Sequence, residues 1–230
     1  MSTVNAFRFD VDVGPSKTSA LLYRARDARG ALVLAHGAGG RQSHPWMVGA
    51  AEALAARGLD VVTFDFLYAH AGNRLPDKND KLEAAWHAVI NAVRARDDVT
   101  QAPFFIGGKS MGGRIATQVA AGEVKGELAG LTLLGYPLHP PGKPERRRSA
   151  HLPRVRAPML FVQGSRDTFG KPDELFPIVA SLSVGSRLFV VEGGDHSLAV
   201  GREPLEKTIG RVCDEVARFC TGVIAAQPTV

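Results

Sequence analysis

The segment Gly108-Lys109-Ser110-Met111-Gly112 constrains this chain more than any other. Ahead of it, Pro103-Phe104-Phe105-Ile106-Gly107 reads as a short buried strand. Behind it, Gly113 to Ala121 reads as a helix. Strand, G-x-S-x-G, helix is the setting in which a serine is held on a sharp, strained turn. The flanking glycines let two backbones approach where a Cβ would clash. Such a turn lifts Ser110 Oγ clear of the sheet. It also leaves the Met111 amide at a helix N-terminus, without an intrahelical acceptor and free to point at a developing oxyanion. Two other readings compete. A lone G-x-S-x-G arises by chance in glycine-rich chains, and Gly108-Lys109-Ser110 invites a phosphate loop. The phosphate loop needs a glycine five residues before Gly108, where this chain has Pro103. The surrounding chain has to decide the rest.

Strands and helices alternate along nearly the whole sequence. Phe7 to Val13 alternates apolar with polar residues, as a half-exposed strand does, with its apolar side inward. Gly14-Pro15-Ser16 forms a turn, and Ser19 to Ala25 is the antiparallel partner. The runs Ala31–Ala35, Leu59–Phe66, Gly130–Gly135, Ala157–Gln163 and Arg187–Val191 read as further strands, several apolar throughout, which suits burial on both faces. Helices are expected over Trp46–Ala56, Lys78–Arg96, Asp173–Ser181 and Pro204–Cys220, with Asp173 as a cap. Between Phe66 and Lys78 the chain reads as a polar loop. Residues 221–230 read as a frayed tail. This pattern builds a mostly parallel, twisted sheet with helices on both faces and an antiparallel N-terminal edge. No linker or repeat divides it, so residues 1–230 are read as one domain.

Composition narrows the function classes. Apolar content of 45% and charged content of 22% are ordinary for a globular domain. The net charge of +5 is concentrated most clearly at Arg146-Arg147-Arg148. No aromatic residue interleaves with that run, which reads as a solvated loop, and nucleic acid is not expected as a partner. No apolar run reaches the length of a membrane span, and the N-terminus lacks a signal-peptide pattern. Cys213 and Cys220 lie on one predicted helix about 10 Å apart, too far for a disulfide. Free thiols and the missing export signal point to a cytoplasmic setting. No metal is expected, because no His, Cys and carboxylate cluster has ligand spacing. No cofactor is expected either.

In such sheets functional groups collect at the carboxyl ends of the strands. Past those ends stand His36-Gly37-Ala38-Gly39-Gly40, Ser110, Gly164-Ser165-Arg166-Asp167 and Glu192-Gly193-Gly194-Asp195-His196. A nucleophilic serine needs a base to take its proton and a carboxylate to orient that base. Ser110, His196 and Asp167 supply these parts. Asp195 competes as the acid, but it adjoins His196, and neighbours in a loop rarely face each other. Asp65 is a weaker rival. His36 and His44 compete as bases; His36 sits in a loop better suited to donating backbone amides. The second oxyanion donor is expected there, at the Ala38 N–H, beside Gly37 and Gly39.

These stretches, with Gly107-Gly108-Lys109-Ser110-Met111-Gly112-Gly113, Gly135-Tyr136-Pro137-Leu138-His139-Pro140-Pro141-Gly142, Phe161 to Asp167 and Asp195-His196-Ser197, resemble the α/β-hydrolase superfamily. More narrowly, the chain is similar to small, lid-poor bacterial hydrolases. These include the dienelactone hydrolases, and the branch also has testis-expressed and chromatin-complex relatives in animals. The resemblance spans about residues 31–220 and implies serine-hydrolase chemistry through an acyl-enzyme. The chain departs from dienelactone hydrolase proper, whose nucleophile is cysteine.

Only about Tyr136 to Arg156 joins two sheet strands where relatives insert a cap domain, so no large cap and an open, shallow site are expected. Small or flexible carboxylic esters suit such a site. Tyr68, Arg74, Met111, Tyr136, His139 and Phe169 are expected to wall it. Lys109 and Arg74 fit either attraction of an anionic substrate or a solvated, ion-paired role. A thioester or peptide bond is an alternative target. A catalytically weak interaction module is an alternative of another class, since fold alone never fixes function.

Overall fold

The structure, a computed structural model, describes residues 6–101, 103–182 and 185–226. Its strands are β1 (Ala6–Val13), β2 (Ser16–Tyr23), β3 (Ala31–Ala35), β4 (Asp60–Phe64), β5 (Phe104–Lys109), β6 (Gly130–Leu134), β7 (Met159–Gly164) and β8 (Arg187–Val191). They form one eight-stranded sheet in the order β1-β2-β4-β3-β5-β6-β7-β8. β1 pairs with β2, and β2 with β4, in antiparallel fashion. Every later pairing is parallel. The helices are α1 (Pro45–Ala55), α2 (Leu67–His70), α3 (Asn79–Arg94), α4 (Met111–Ala120), α5 (Pro172–Ala180) and α6 (Leu205–Ala226).

The period of two along a strand sorts each side chain to one face or the other. In β3, Ala31, Val33 and Ala35 join the core under α3, α4 and α5, whereas Leu32 and Leu34 join the core under α1 and α6. β7 divides in the same way, Met159 and Phe161 against Leu160 and Val162. Trp86 of α3 is fully buried and meets the Phe64 ring edge-on, with centroids 5.0 Å apart. Burying such a side chain contributes about 1.5–3 kcal/mol.

Several expected boundaries move. β1 buries Val11 and Val13, but Phe7 is 52% exposed, because only the C-terminal half of that edge strand is covered. Leu67–His70 forms a single helical turn where a loop was expected. The cap of α5 is made by Glu174, whose carboxylate accepts from the Lys171 amide at 2.9 Å, and not by Asp173. α6 continues to Ala226, since Val223 and Ile224 still pack against the core. Of the expected frayed tail, only 227–230 lies outside the described residues.

The topology sets up the site. The chain winds one way from β3 to β4 and the other way through β5, so the crevice opens at the carboxyl ends of β3 and β5. Ala35 and Gly108 stand side by side in that pairing, which places the loop after β3 directly beside the turn after β5. Between β6 and β7, residues 135–158 hold one 3-10 turn, Leu152–Arg154, and no cap domain. Among the described residues no helix is long and apolar enough to cross a membrane.

Candidate active site

Ser110 occupies the tight corner between β5 and α4, at φ 50° and ψ −117°. A side chain held there costs about 1–3 kcal/mol, which the surrounding structure must offset. Two backbone bonds hold the corner. Ser110 N donates to Leu134 O at 2.9 Å, and Arg114 N donates to Ser110 O at 3.0 Å. The close approach of neighbouring backbone explains the glycine that follows. A Cβ on Gly112 would stand 2.5 Å from His36 O and 2.6 Å from Ala35 O.

Three strand ends bring three side chains into line. Ser110 Oγ lies 2.8 Å from His196 Nε2. His196 Nδ1 lies 2.8 Å from Asp167 Oδ2. A carboxylate accepts only, so Nδ1 carries the proton and Nε2 is left to accept from the serine hydroxyl. Asp167 is fully buried. Its Oδ2 also accepts from Gln163 Nε2 at 2.7 Å, and its Oδ1 accepts from the Phe169 amide at 2.8 Å. Phe169 stacks on the imidazole at 4.1 Å between centroids and 27° between planes. Gly135 makes room for the histidine loop as it crosses the sheet edge: a Cβ there would lie 2.8 Å from His196 O. Asp195, the rival acid, is exposed, and its carboxylate caps the amides of Ser197 and Ala199 at 2.7 and 3.0 Å.

The loop after β3 presses on Ser110. A Cβ on Gly37 would meet Ser110 Cβ at 3.3 Å. Neither the Ala38 nor the Met111 amide has a backbone acceptor among the described residues. His36 is the anchor of this loop. It is buried, donates from Nδ1 to Gly37 O at 2.8 Å and accepts the Phe66 amide at Nε2 over 3.2 Å. Burial holds its pKa below the ordinary histidine value, while the Gly37 carbonyl and the Asp65 carboxylate pull the other way. Asp65 is itself engaged, accepting from the Gln42 amide at 2.7 Å. The remaining rival, His44, caps α1 by accepting from Trp46 N.

Four of the residues expected to wall the site are buried instead. Tyr136 is 1% exposed, packs edge-on against Phe161 and donates its hydroxyl to Arg148 O at 2.7 Å. Its side chain enters the core under the sheet edge, which pushes its pKa up to about 12. His139 is buried, and both ring nitrogens are spoken for, by Pro140 O at 2.9 Å and Glu174 Oε1 at 3.1 Å. Tyr68 is 3% exposed and lies stacked over Phe66, beneath the His36 loop; burial raises its pKa to about 12. Met111 is also mostly buried, whereas Arg74 and Gly39 are exposed and Gly37 is half-buried. Phe169 alone of the aromatic wall residues touches the triad. Gln163 was not foreseen; a lone glutamine closing an apolar strand carries no distinctive signal.

A strand-turn-helix serine, a histidine after β8 and an aspartate after β7 on this sheet order define the α/β-hydrolase architecture. Residues 28–225 match the alpha/beta hydrolase domain family, and the chain belongs to it. Solved structures agree on the fold. The dienelactone hydrolase from Anabaena variabilis ATCC 29413 superposes with a TM-score of 0.75 at 20% identity, over 95% of this chain and 97% of that one. Est1E from Butyrivibrio proteoclasticus gives 0.74 at 18% identity, over 95% and 99%. A lidless α/β serine hydrolase from Xanthomonas campestris gives 0.71 at 20% identity, over 94% and 96%. At these identities the likeness is one of fold.

Proposed function

We propose that this protein is a serine hydrolase that cleaves small or flexible carboxylic esters through an acyl-enzyme on Ser110. The observation that carries the reading is the unbroken line from Ser110 Oγ through His196 to Asp167, with both contacts at 2.8 Å. In this reading His196 Nε2 takes the hydroxyl proton as Ser110 Oγ attacks the ester carbonyl. Asp167 stabilises the imidazolium that results. The amides of Ala38 and Met111 receive the oxyanion; one such donor is worth about 3 kcal/mol in the transition state. The imidazolium then protonates the departing alkoxide. Water, deprotonated by the same nitrogen, releases the acid and restores the serine. The steps balance without a metal or cofactor.

The absence of a cap between β6 and β7 supports an open site and short acyl groups. Phe169, stacked on His196, and Gly37, set against Ser110, are assigned to the substrate's surroundings, together with the exposed Gly39 and Arg74. The partner is a small ester. The cell compartment is assigned as the cytoplasm, in keeping with two buried free thiols. Turnover of p-nitrophenyl acetate tests the assignment. Wild type should hydrolyse it, and Ser110→Ala should abolish hydrolysis; equal rates in the two proteins would refute it.

A further inference from the structure

Lys109, the last residue of β5, places its ammonium group beside the triad. Lysine ordinarily buries its stem and keeps the charge in water. Here Nζ donates to the backbone carbonyl of His196 over 3.3 Å. It also lies 5.4 Å from the ring centroid of the buried Trp46, at the start of α1. Among the described residues Lys109 forms no ion pair. The charged groups facing it are Asp195 and Asp167, at longer range, and both favour the charged ammonium.

The contact connects two parts of the site that meet nowhere else in sequence. Lys109 immediately precedes Ser110, and the carbonyl it holds belongs to His196. Among the described residues the His196 carbonyl takes no backbone donor, and Lys109 is its hydrogen-bond partner. The loop that carries His196 begins at Gly193, at φ 72°, and turns again at Leu198, a non-glycine residue at φ 65°. It is closed by the bridge between Gly194 and Val200, by Asp195 N donating to Ala199 O at 3.0 Å and Leu198 N to Asp195 O at 2.9 Å, and by the Asp195 carboxylate on the Ser197 and Ala199 amides, but none of these bonds reaches the His196 carbonyl. We propose that Lys109 is a positioning residue that clamps the His196 carbonyl and so keeps the imidazole in register with the Ser110 hydroxyl. The proposal rests on the hydrolase reading for its effect on rate, but the clamp itself is a statement about His196 geometry.

Two effects of the ammonium oppose each other. Its hydrogen bond orders the base, while its charge disfavours a second positive charge on the imidazolium. If the clamp dominates, removing the ammonium slows turnover; if repulsion dominates, removal speeds it. The half-buried Lys109 has its pKa lowered to about 8, chiefly by desolvation. Loss of its charge above that pH therefore weakens the clamp, and turnover in the wild type should fall on the alkaline side.

The test compares wild type, Lys109→Met and Lys109→Arg in the full chain, by two readouts. The first is kcat for p-nitrophenyl acetate per site titrated with a fluorophosphonate, from pH 6 to 9. Lys109→Met should lose about tenfold in kcat with KM within about twofold, and should lose the alkaline limb; Lys109→Arg should recover most of the rate. The second is the downfield proton NMR signal of the His196 Nδ1–H. It should broaden away in Lys109→Met and persist in Lys109→Arg. A folded Lys109→Met with unchanged or faster kcat, or with the NMR signal intact, overturns the proposal. Should Lys109→Met not fold, a wild-type profile without an alkaline limb overturns it. A wild type that shows the NMR behaviour without turnover leaves the clamp standing and removes the hydrolase reading instead.

Discussion

Gln163 Nε2 donates to Asp167 Oδ2 at 2.7 Å, the same carboxylate oxygen that faces the His196 Nδ1 proton. The amide also donates to Gly170 O at 2.8 Å, and its oxygen accepts the Tyr136 amide at 2.8 Å. One fully buried side chain thus fixes the rotamer of Asp167 and ties the loops after β6 and β7 together. Gln163→Leu removes all of these bonds and leaves the Tyr136 amide and the Gly170 carbonyl, both buried, without the partner they have here. Each such group costs about 1–3 kcal/mol. Urea unfolding should show a loss of about 3 kcal/mol, and ester turnover should fall about tenfold.

Asp167→Asn should be far more damaging to rate than to fold. Three donors surround the wild-type carboxylate: Gln163 Nε2, His196 Nδ1 and Phe169 N. An amide offers one oxygen and turns its NH2 against at least one of them. The imidazole then adopts the wrong tautomer, a change worth about 10⁴-fold in kcat for the same constellation elsewhere. Steady-state kinetics should show that loss, with the circular dichroism spectrum unchanged.

Much of this arrangement was legible in the sequence, for identifiable reasons. Ser110, Asp167 and His196 each follow an apolar strand closely, so strand ends alone placed them at one sheet edge. The same logic failed for Tyr136 and His139. They also follow a strand end, but position along the chain does not reveal whether a side chain turns up into the crevice or down into the core. Tyr68 was misplaced because α2 is a single turn, too short to show a period. Gln163 was silent because its importance lies in what it bonds to across the loops. Residues 221–230 were read as frayed because they end the chain, yet Val223 and Ile224 find apolar neighbours and carry the helix on to Ala226.

Gly112→Ala tests the packing of the turn after β5 against the loop after β3. The new methyl group would stand 2.5 Å from His36 O and 2.6 Å from Ala35 O, both backbone atoms that cannot rotate away. Overpacking of this kind costs about 1–3 kcal/mol. Thermal unfolding should show a lowered midpoint, and kcat should fall because the displaced loop carries Ala38.

Stability should fall with acid through the histidines. His151, with Nε2 at 2.7 Å from Thr117 Oγ1, has its pKa lowered to about 4, first by desolvation and then by Arg114 and Arg154. Between about pH 6.5 and pH 4 the unfolded chain binds a proton there that the folded chain does not, so stability declines as pH falls through that window. His36, also lowered, adds in the same direction. Allowing for solvent screening of the partly exposed His151, its share is about 1–2 kcal/mol. His151→Gln, which keeps a donor for Thr117, should flatten the slope of unfolding free energy between pH 6.5 and 4.

The most direct measurement is intact-mass and peptide mapping of the protein after exposure to a fluorophosphonate. A single adduct on the peptide containing Ser110 is expected. It should be absent in Ser110→Ala and formed at least about a hundredfold more slowly in His196→Ala, because an unassisted serine hydroxyl is a poor nucleophile at neutral pH. No adduct on the wild type, or one that persists in Ser110→Ala, would contradict the assignment of Ser110 as nucleophile.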